Sequence, residues 1–344
     1  MKKHVNIPIF IPHLGCPNQC VFCNQRTISG VNSFDISGVE KQIEEALATV
    51  SQEYEVEIAF FGGSFTGIDR ELMIELLKIA HNYVVSGKVS SIRCSTRPDY
   101  INEDILDILK LYRVKTVELG LQSASDSVLE KSKRGHTRLD EERACRMIVD
   151  AGFNLVGQMM IGLPGSSLEN ELETARFIVN VGATGARIYP TVVFYDTELC
   201  EMAESGEYAP LKLEDAVARS AKVLEIFVTN NVDVIRIGLC SSENLSSEEK
   251  YYAGPNHSAL GEMVEGELYY NTIKRMLDVE LPSSDTNLLV SVAKGCISKT
   301  VGQNKRNKLR LIREYGLADL IVTENDNLSG YEVMIKQERK RKCT

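Results

Sequence analysis

The chain has 344 residues, 43% of them hydrophobic and 25% charged, with a net charge of −9. This is the composition of a globular protein with room for one large domain and a small one, and it excludes both a disordered chain and a protein that coats nucleic acid by bulk charge. Apolar runs fall well short of the roughly 20 residues of a membrane span, and nine cysteines, an odd number mostly spread along a long chain, do not make a disulfide framework.

The opening "MKKHVNIPIFIPHLGC" imitates a lipoprotein signal, but Asn6, Pro8, Pro12 and His13 interrupt its apolar stretch, so a cytoplasmic protein is expected. From there β-branched runs alternate with amphipathic segments. "VNIPIFI" reads as a strand and "DISGVEKQIEEALATV" as a helix with Ser37 as N-cap. "EVEIAFF" and "VSSIRCS" are strands, separated by the helix "RELMIELLKIAHNYV" and followed by "NEDILDILKLY". "KTVELGL", "NLVGQMMIGL", "GARIYPTVV" and "VDVIRIGL" continue the strands, with helices in "RLDEERACRMIVDAG", "SLENELETARFIVNVG" and "LEDAVARSAKVLEIFVTN" between them.

This succession implies parallel strands with right-handed helical crossovers, and seven or so units before residue 240 fit a barrel or partial barrel. Functional groups of such folds sit on loops at the C-terminal ends of the strands. Those loops hold Cys16 to Cys23, Gly62-Gly63-Ser64, Ser95 to Arg97, Gln122-Ser123 and Gly162 to Gly165. The rhythm changes after Leu239. Residues 1–239 read as the core barrel and 240–344 as a small α/β element: a polar linker, a helix, then strand, helix and strand in "NLLVSVAK", "NKRNKLRLIREYG" and "ADLIVTE". From Lys294 onward there are 12 Lys and Arg against 6 Asp and Glu, whereas the rest of the chain is strongly acidic. Lys294, Lys299, Lys305, Arg306, Lys308, Arg310 and Arg313 could track phosphates; a solvated basic tail explains the same residues.

Cys16-x3-Cys20-x2-Cys23 places three soft ligands in the loop after the first strand. Structural zinc takes four protein ligands, so His4 or His13 would have to complete a zinc site. An iron–sulfur cube on three cysteines keeps one iron open to a small molecule. Unrelated thiols are the third reading. Phe22 is either a wall against a cofactor or an apolar anchor of the loop.

The cysteine spacing with an aromatic residue before the third cysteine resembles the radical S-adenosylmethionine (SAM) enzymes. "FFGGSFTGI" (60–68), "STRPDYI" (95–101), "LGLQSASDSVLEKSKRGHT" (119–137), "MMIGLPGSS" (159–167) and "RIYPTVVFYDTELCEMAESGEYAPL" (187–211) follow in order. The series is similar to the radical SAM half of the elongator catalytic subunit, a tRNA-modifying enzyme, and of its bacterial relatives, over roughly residues 5 to 238.

The resemblance implies a partial (β/α)6-type radical SAM barrel. It further implies a 4Fe–4S cluster on Cys16, Cys20 and Cys23, and SAM chelated to the open iron and cleaved to a 5′-deoxyadenosyl radical. Gly62 and Gly63 match the pair that contacts the methionyl end of SAM; a tight turn is the structural alternative. Ser95 stands where an acidic residue is common, and Gln122, Arg134 and Gln158 match polar positions that help hold SAM. Phe22 is counted with this set. Arg97 and Tyr189 are candidates for the substrate side, and His136 for a structural hydrogen bond. Implied partners are a tRNA substrate and a one-electron donor such as flavodoxin or ferredoxin. Two departures stand out: the first cysteine interval is shorter than in elongator subunits, and residues after 240 contain no glycine loop for acetyl-CoA. The coproporphyrinogen oxidase group, a second enzyme reading, has a further cysteine where this chain has Gln25.

Overall fold

The strands expected before residue 240 carry apolar residues at alternate positions, and these collect on one face of one large sheet. The computed structural model describes residues 4–11, 14–16, 20–24, 34–51, 53–239, 251–283 and 285–339. His13, Gln25 and the polar linker 240–250 lie outside the described residues. In chain order the elements are β1 (His4–Ile11), α1 (Val39–Thr49), β2 (Glu55–Gly62), α2 (Arg70–Val85), β3 (Ser91–Thr96), α3 (Glu103–Leu111), β4 (Val114–Gln122), α4 (Asp126–Lys131) and α5 (Arg138–Asp150). They continue with β5 (Asn154–Ile161), α6 (Leu168–Asn180), β6 (Gly185–Pro190), β7 (Val193–Phe194), α7 (Glu198–Glu204), α8 (Leu213–Thr229) and β8 (Asp233–Ile237).

The large sheet runs β1-β2-β3-β4-β5-β6-β8, parallel throughout. β1 and β8 each pair on one side only, which leaves a partial barrel of the expected type, with β8 as a seventh strand. Ile58, Phe60, Ile92, Cys94, Val117, Leu119, Leu155 and Ile188 point from the outer face onto Ile43, Leu76, Leu109, Ile148, Ile178 and Leu224 of the helices. This apolar layer holds the barrel together; truncating any one of these leucines or isoleucines to alanine costs about 2–5 kcal/mol. Helix starts are fixed by side-chain caps: Asp69 before α2, Asn102 before α3, and reciprocal capping boxes at Thr137 and Ser167. Ser37 is not the cap of α1. Asp35 instead accepts from the Ser37 N–H to close a single turn, and α1 follows after Gly38.

β9 (Tyr251–Ala253) pairs antiparallel with β7, a ribbon too short to be read from periodicity. α9 (Leu260–Val279) then runs through both halves of the protein. Leu260, Val264 and Leu268 belong to the barrel core, whereas Tyr269, Tyr270, Ile273 and Leu277 belong to a second core with Leu288, Val290, Leu311 and Leu320. That second core lies under a three-stranded sheet, with β10 (Thr286–Val292) in the centre. After α10 (Ile297–Val301) and α11 (Arg306–Tyr315), β11 (Asp319–Glu324) pairs parallel with β10, and β12 (Val333–Arg339) pairs antiparallel. Among the described residues no helix is long and apolar enough to cross a membrane.

Candidate active site

The concave face of the sheet is polar, opposite in character to its outer face. Glu57 accepts from Arg93 Nε at 2.8 Å, and Arg93 Nη1 donates to Glu118 at 2.7 Å. Arg187 donates to both oxygens of Glu118, at 2.7 and 2.9 Å. Ser91 and His4 also bond Glu57, and Gln158 Nε2 bridges Glu118 at 3.0 Å and Ser95 Oγ at 3.3 Å. Two carboxylates and two guanidiniums thus neutralise one another inside the barrel. Burial pushes the Glu118 carboxyl up, but the Arg187 charge and the bonds from Arg187 and Arg93 outweigh it, so it lies below the ordinary carboxylate range. Glu57 is depressed in the same way, with Ser91 and Arg93 outweighing burial. This ladder was not singled out in the sequence, although one charge inside each of "EVEIAFF", "SIRCST", "TVELGL" and "ARIYP" is the signal for it.

At the C-terminal rim the cysteine loop is tied down at several points. Val21 N–H donates to the Ser132 carbonyl at 3.3 Å, Leu199 N–H to the Val21 carbonyl at 2.8 Å, and Cys23 N–H to the Cys20 carbonyl at 3.0 Å. Val21 packs with Val193, Leu199, Cys200 and Tyr208, and Phe22 lies against the same cluster, which is the packing of a loop anchor. Gly62 and Gly63 face the chain that leads into the loop. At Gly62 φ is +115°, and a Cβ there would lie 2.6 Å from the Ile11 carbonyl oxygen. A Cβ at Gly63 would overlap the Leu14 carbonyl oxygen.

Cys16 is exposed, Cys20 buried and Cys23 half-buried. Cys16 Sγ lies 3.6 Å from Ser64 Oγ. Cys20 Sγ receives Arg134 Nη1 at 3.2 Å and Arg97 Nη1 at 3.9 Å. Arg134 Nη2 also donates to the Gly120 carbonyl at 2.6 Å. Arg97, expected toward the substrate, is instead buried behind Cys20: it pairs with Asp99 at 2.9 and 3.1 Å and donates to the Arg134 carbonyl. The loop that carries Arg134 is itself braced from behind by His136, whose side chain is fully buried against Glu141 at 3.1 Å. Burial, with the Arg134 and Arg97 charges, pushes the His136 ring down to about 3, and burial pushes Glu141 well up, so the site disfavours the charged form of each, and the two join by a hydrogen bond. That is a structural role for His136, as read from the sequence.

Gln122 ends β4 at φ +73°, just past an irregularity in the β4–β5 register. Its Oε1 is buried and accepts no hydrogen bond from the described residues. Ser95 and Gln158 meet on the concave face, as noted, and Tyr189 Oη lies 3.5 Å from Arg187 Nη1. Arg134, Gln122, Gly62, Gly63 and the cysteines are thus brought to one rim, with Ser95 and Gln158 below them.

The donor set suits an iron–sulfur cluster. Metal-bound sulfur carries negative charge and takes N–H donors from a second layer, and Cys20 has two guanidinium groups so placed. Among the described residues, no three His, Cys, Asp or Glu side chains stand close enough together to hold a metal ion as they are. A zinc site completed by His4 is ruled out by distance: His4 opens β1 at the other end of the barrel, more than about 20 Å from the rim at 3.3 Å of rise per residue, with its ring on Glu57.

The model of the radical SAM superfamily matches residues 10–178, and that of the radical SAM C-terminal domain matches residues 183–270. The chain belongs to the radical SAM superfamily. It is an enzyme of that superfamily, whose cofactors are a 4Fe–4S cluster and SAM. Among related proteins, an uncharacterized protein of Methanocaldococcus jannaschii is 29% identical over 65% of this chain and 72% of its own length. A tRNA uridine(34) acetyltransferase of the same organism is 34% identical, covering 45% of this chain but only 29% of the relative. Human elongator complex protein 3 is 29% identical over 50% of this chain and 35% of its own length. The chain therefore spans about a third of these two longer relatives. Among solved structures, the archaeal Elp3 of Methanocaldococcus infernus shares the radical SAM fold with a TM-score of 0.62 at 21% identity, over 80% of this chain and 64% of that one.

Proposed function

We propose that this radical SAM enzyme holds its cluster on Cys16, Cys20 and Cys23, holds SAM with Gly62, Gly63, Ser95, Gln122, Arg134 and Gln158, and modifies a tRNA. The observation that carries the site is the pair of guanidinium groups on Cys20 at the barrel rim. When bound, the cluster and SAM supply the reductive start of radical chemistry. The chain's own residues supply the surroundings: Arg97 and Arg134 balance the sulfur charge, Glu118 fixes the Gln158 amide, and the buried Gln122 Oε1 is an acceptor for an N–H donor. Cys16, Cys20, Cys94, Cys145, Cys200 and Cys296 form no disulfide, which suits a reducing, cytoplasmic setting.

The tRNA part rests on the ordered motifs shared with relatives that carry tRNA modification in their names. Surface charge adds support. Of the seven basic residues singled out after residue 293, Lys299, Lys308 and Arg310 are spent on Glu265, Asp319 and Glu267. Lys294, Lys305, Arg306 and Arg313 are exposed and make no ion pair with a described residue, which leaves them for phosphates. Acetyl transfer is not carried over, because the matched part is 29% of the acetyltransferase relative.

The test is anaerobic reconstitution with iron and sulfide, reduction with dithionite, and assay of 5′-deoxyadenosine formed from SAM, followed by tRNA retention at rising salt. Formation of 5′-deoxyadenosine and salt-sensitive retention are the expected results. Replacing Lys305 and Arg306 together by alanine should reduce the slope of log K against log salt by up to about 2; an unchanged slope would make them a solvated face. Gly63→Ala should push residues 14–16 aside and lower the iron retained per chain, and full iron loading would show that the loop tolerates the Cβ.

A further inference from the structure

The two guanidinium groups that reach Cys20 are not equivalent. Arg134 is the nearer, with Nη1 at 3.2 Å, and it also stands in the set proposed to hold SAM. Arg97 lies behind the sulfur, 4% exposed, with Nη1 at 3.9 Å. Its opposite edge is held by a carboxylate. Nε and Nη2 donate to the two oxygens of Asp99 at 2.9 and 3.1 Å, and Nη2 donates again to the Arg134 carbonyl. The guanidinium thus sits between Asp99 and Cys20, with its plane fixed by two parallel bonds and its remaining nitrogen turned to the sulfur.

The turn that carries this pair is stiff. Arg97 follows β3, and Pro98 opens a single turn, Pro98–Tyr100, that brings Asp99 back beside it. Tyr100 N–H closes onto the Arg97 carbonyl at 3.3 Å, and Thr96 Oγ1 meets Thr66 Oγ1 at 2.6 Å, which ties the turn to the loop after β2. His136 Nδ1 stands 3.7 Å from Asp99 on a further side. Burial differs across the pair: the Arg97 side chain is 5% exposed and that of Asp99 27%. Water screens the carboxylate more than the guanidinium, and the guanidinium is the nearer to the sulfur. The field of the pair at Cys20 is therefore positive.

We propose that Arg97, held by Asp99, is a positioning residue whose charge raises the reduction potential of the cluster. This deepens, and rests on, the cluster reading above, with Cys20 as a ligand. The step concerned moves one electron from a one-electron donor to the cluster; no bond breaks and no proton is exchanged. The sulfur ligands carry more negative charge afterwards, and a fixed cation beside one of them favours that state. A guanidinium suits this task because it stays charged at every working pH. Asp99 trims the effect by offsetting part of the charge, so the two residues pull the potential in opposite directions. A mere tie between loops has no such property, since loosening either end of it would act alike.

The experiment is a redox titration of the reconstituted full chain without SAM, with dithionite as reductant and with visible absorbance and iron per chain as readouts. In Arg97→Gln the ratio of reduced to oxidised cluster at a fixed potential should fall about tenfold, a midpoint lower by about 59 mV for one electron. In Asp99→Asn, which keeps the shape and an acceptor oxygen, the ratio should rise about threefold. Iron per chain equal to the wild type shows that the ligands are intact. If Arg97→Gln loses its iron, the Asp99→Asn midpoint decides alone. An iron-loaded Arg97→Gln with a midpoint at or above the wild-type value, or Asp99→Asn with one at or below it, makes Arg97 a tie between loops and overturns the proposal while the cluster reading stands. A wild type that retains no iron after reconstitution overturns the cluster reading and this inference with it.

Discussion

Cys20→Ala is expected to abolish the iron–sulfur chromophore and all SAM cleavage while leaving the barrel folded. Cys20 is the cysteine of the loop with the most structure built around its sulfur: two guanidiniums point at it, and the adjoining Val21 is bonded on both sides of its peptide. On the proposed ligand set, loss of one of three cysteines opens a second iron, and a cluster so exposed is not retained. The control is Cys94→Ala. Cys94 is fully buried in the apolar layer, where burial and the Glu118 charge raise its thiol to about 12. That variant should lose packing stability but keep its iron per chain. Iron and visible absorbance measured on both proteins decide the matter: a Cys20→Ala protein as brown as the wild type would remove Cys20 from the ligand set.

Glu118→Leu is expected to have the largest effect on stability, about 3–5 kcal/mol. The carboxylate is fully buried between Arg93 and Arg187, and an apolar replacement leaves two guanidiniums inside the barrel with no charge between them. Denaturant unfolding measures this, and a loss below about 1 kcal/mol would show that water or Glu57 takes over the pairing. Acidity probes the same ladder. Glu57 and Glu118 both lie below their ordinary 4.5 in the folded protein. Their contribution is therefore complete above that value and fades as pH falls through the lower folded-state values. The wild type should lose stability steeply below about pH 4.5, and Glu118→Gln should show a shallower fall from a lower plateau.

The barrel was legible because its parallel strands are buried on both faces and read as dense apolar runs with a glycine or serine at the rim. Gly62-Gly63 was legible because the backbone there admits no Cβ, and the three cysteines stood out by their spacing alone. Position alone decided the rest. Arg97 reads as a polar rim residue, and only the fold reveals that Cys20 and the Arg134 carbonyl lie within its reach. Asp35 outranked Ser37 as a cap because the α-helix begins a turn later than its apolar periodicity suggests. β12 was missed because "VMIKQER" alternates like an edge strand yet is crowded with charge. The β7–β9 ribbon rests on two residue pairs, too few for any window of sequence to register.

The path of α9 has a consequence for how the chain is made. Translation delivers the last strand of the large sheet, β8, before the helix that fills the groove against α8 and β8. A nascent barrel complete in strands still lacks Leu260, Val264 and Leu268, and its apolar wall stays open to the ribosome tunnel exit until they emerge. Once docked, the same helix offers Tyr269, Tyr270, Ile273 and Leu277 as a preformed template on which β10 and its neighbours collapse. The second core is thus the last to form, and the segment that starts it is the one that finishes the first.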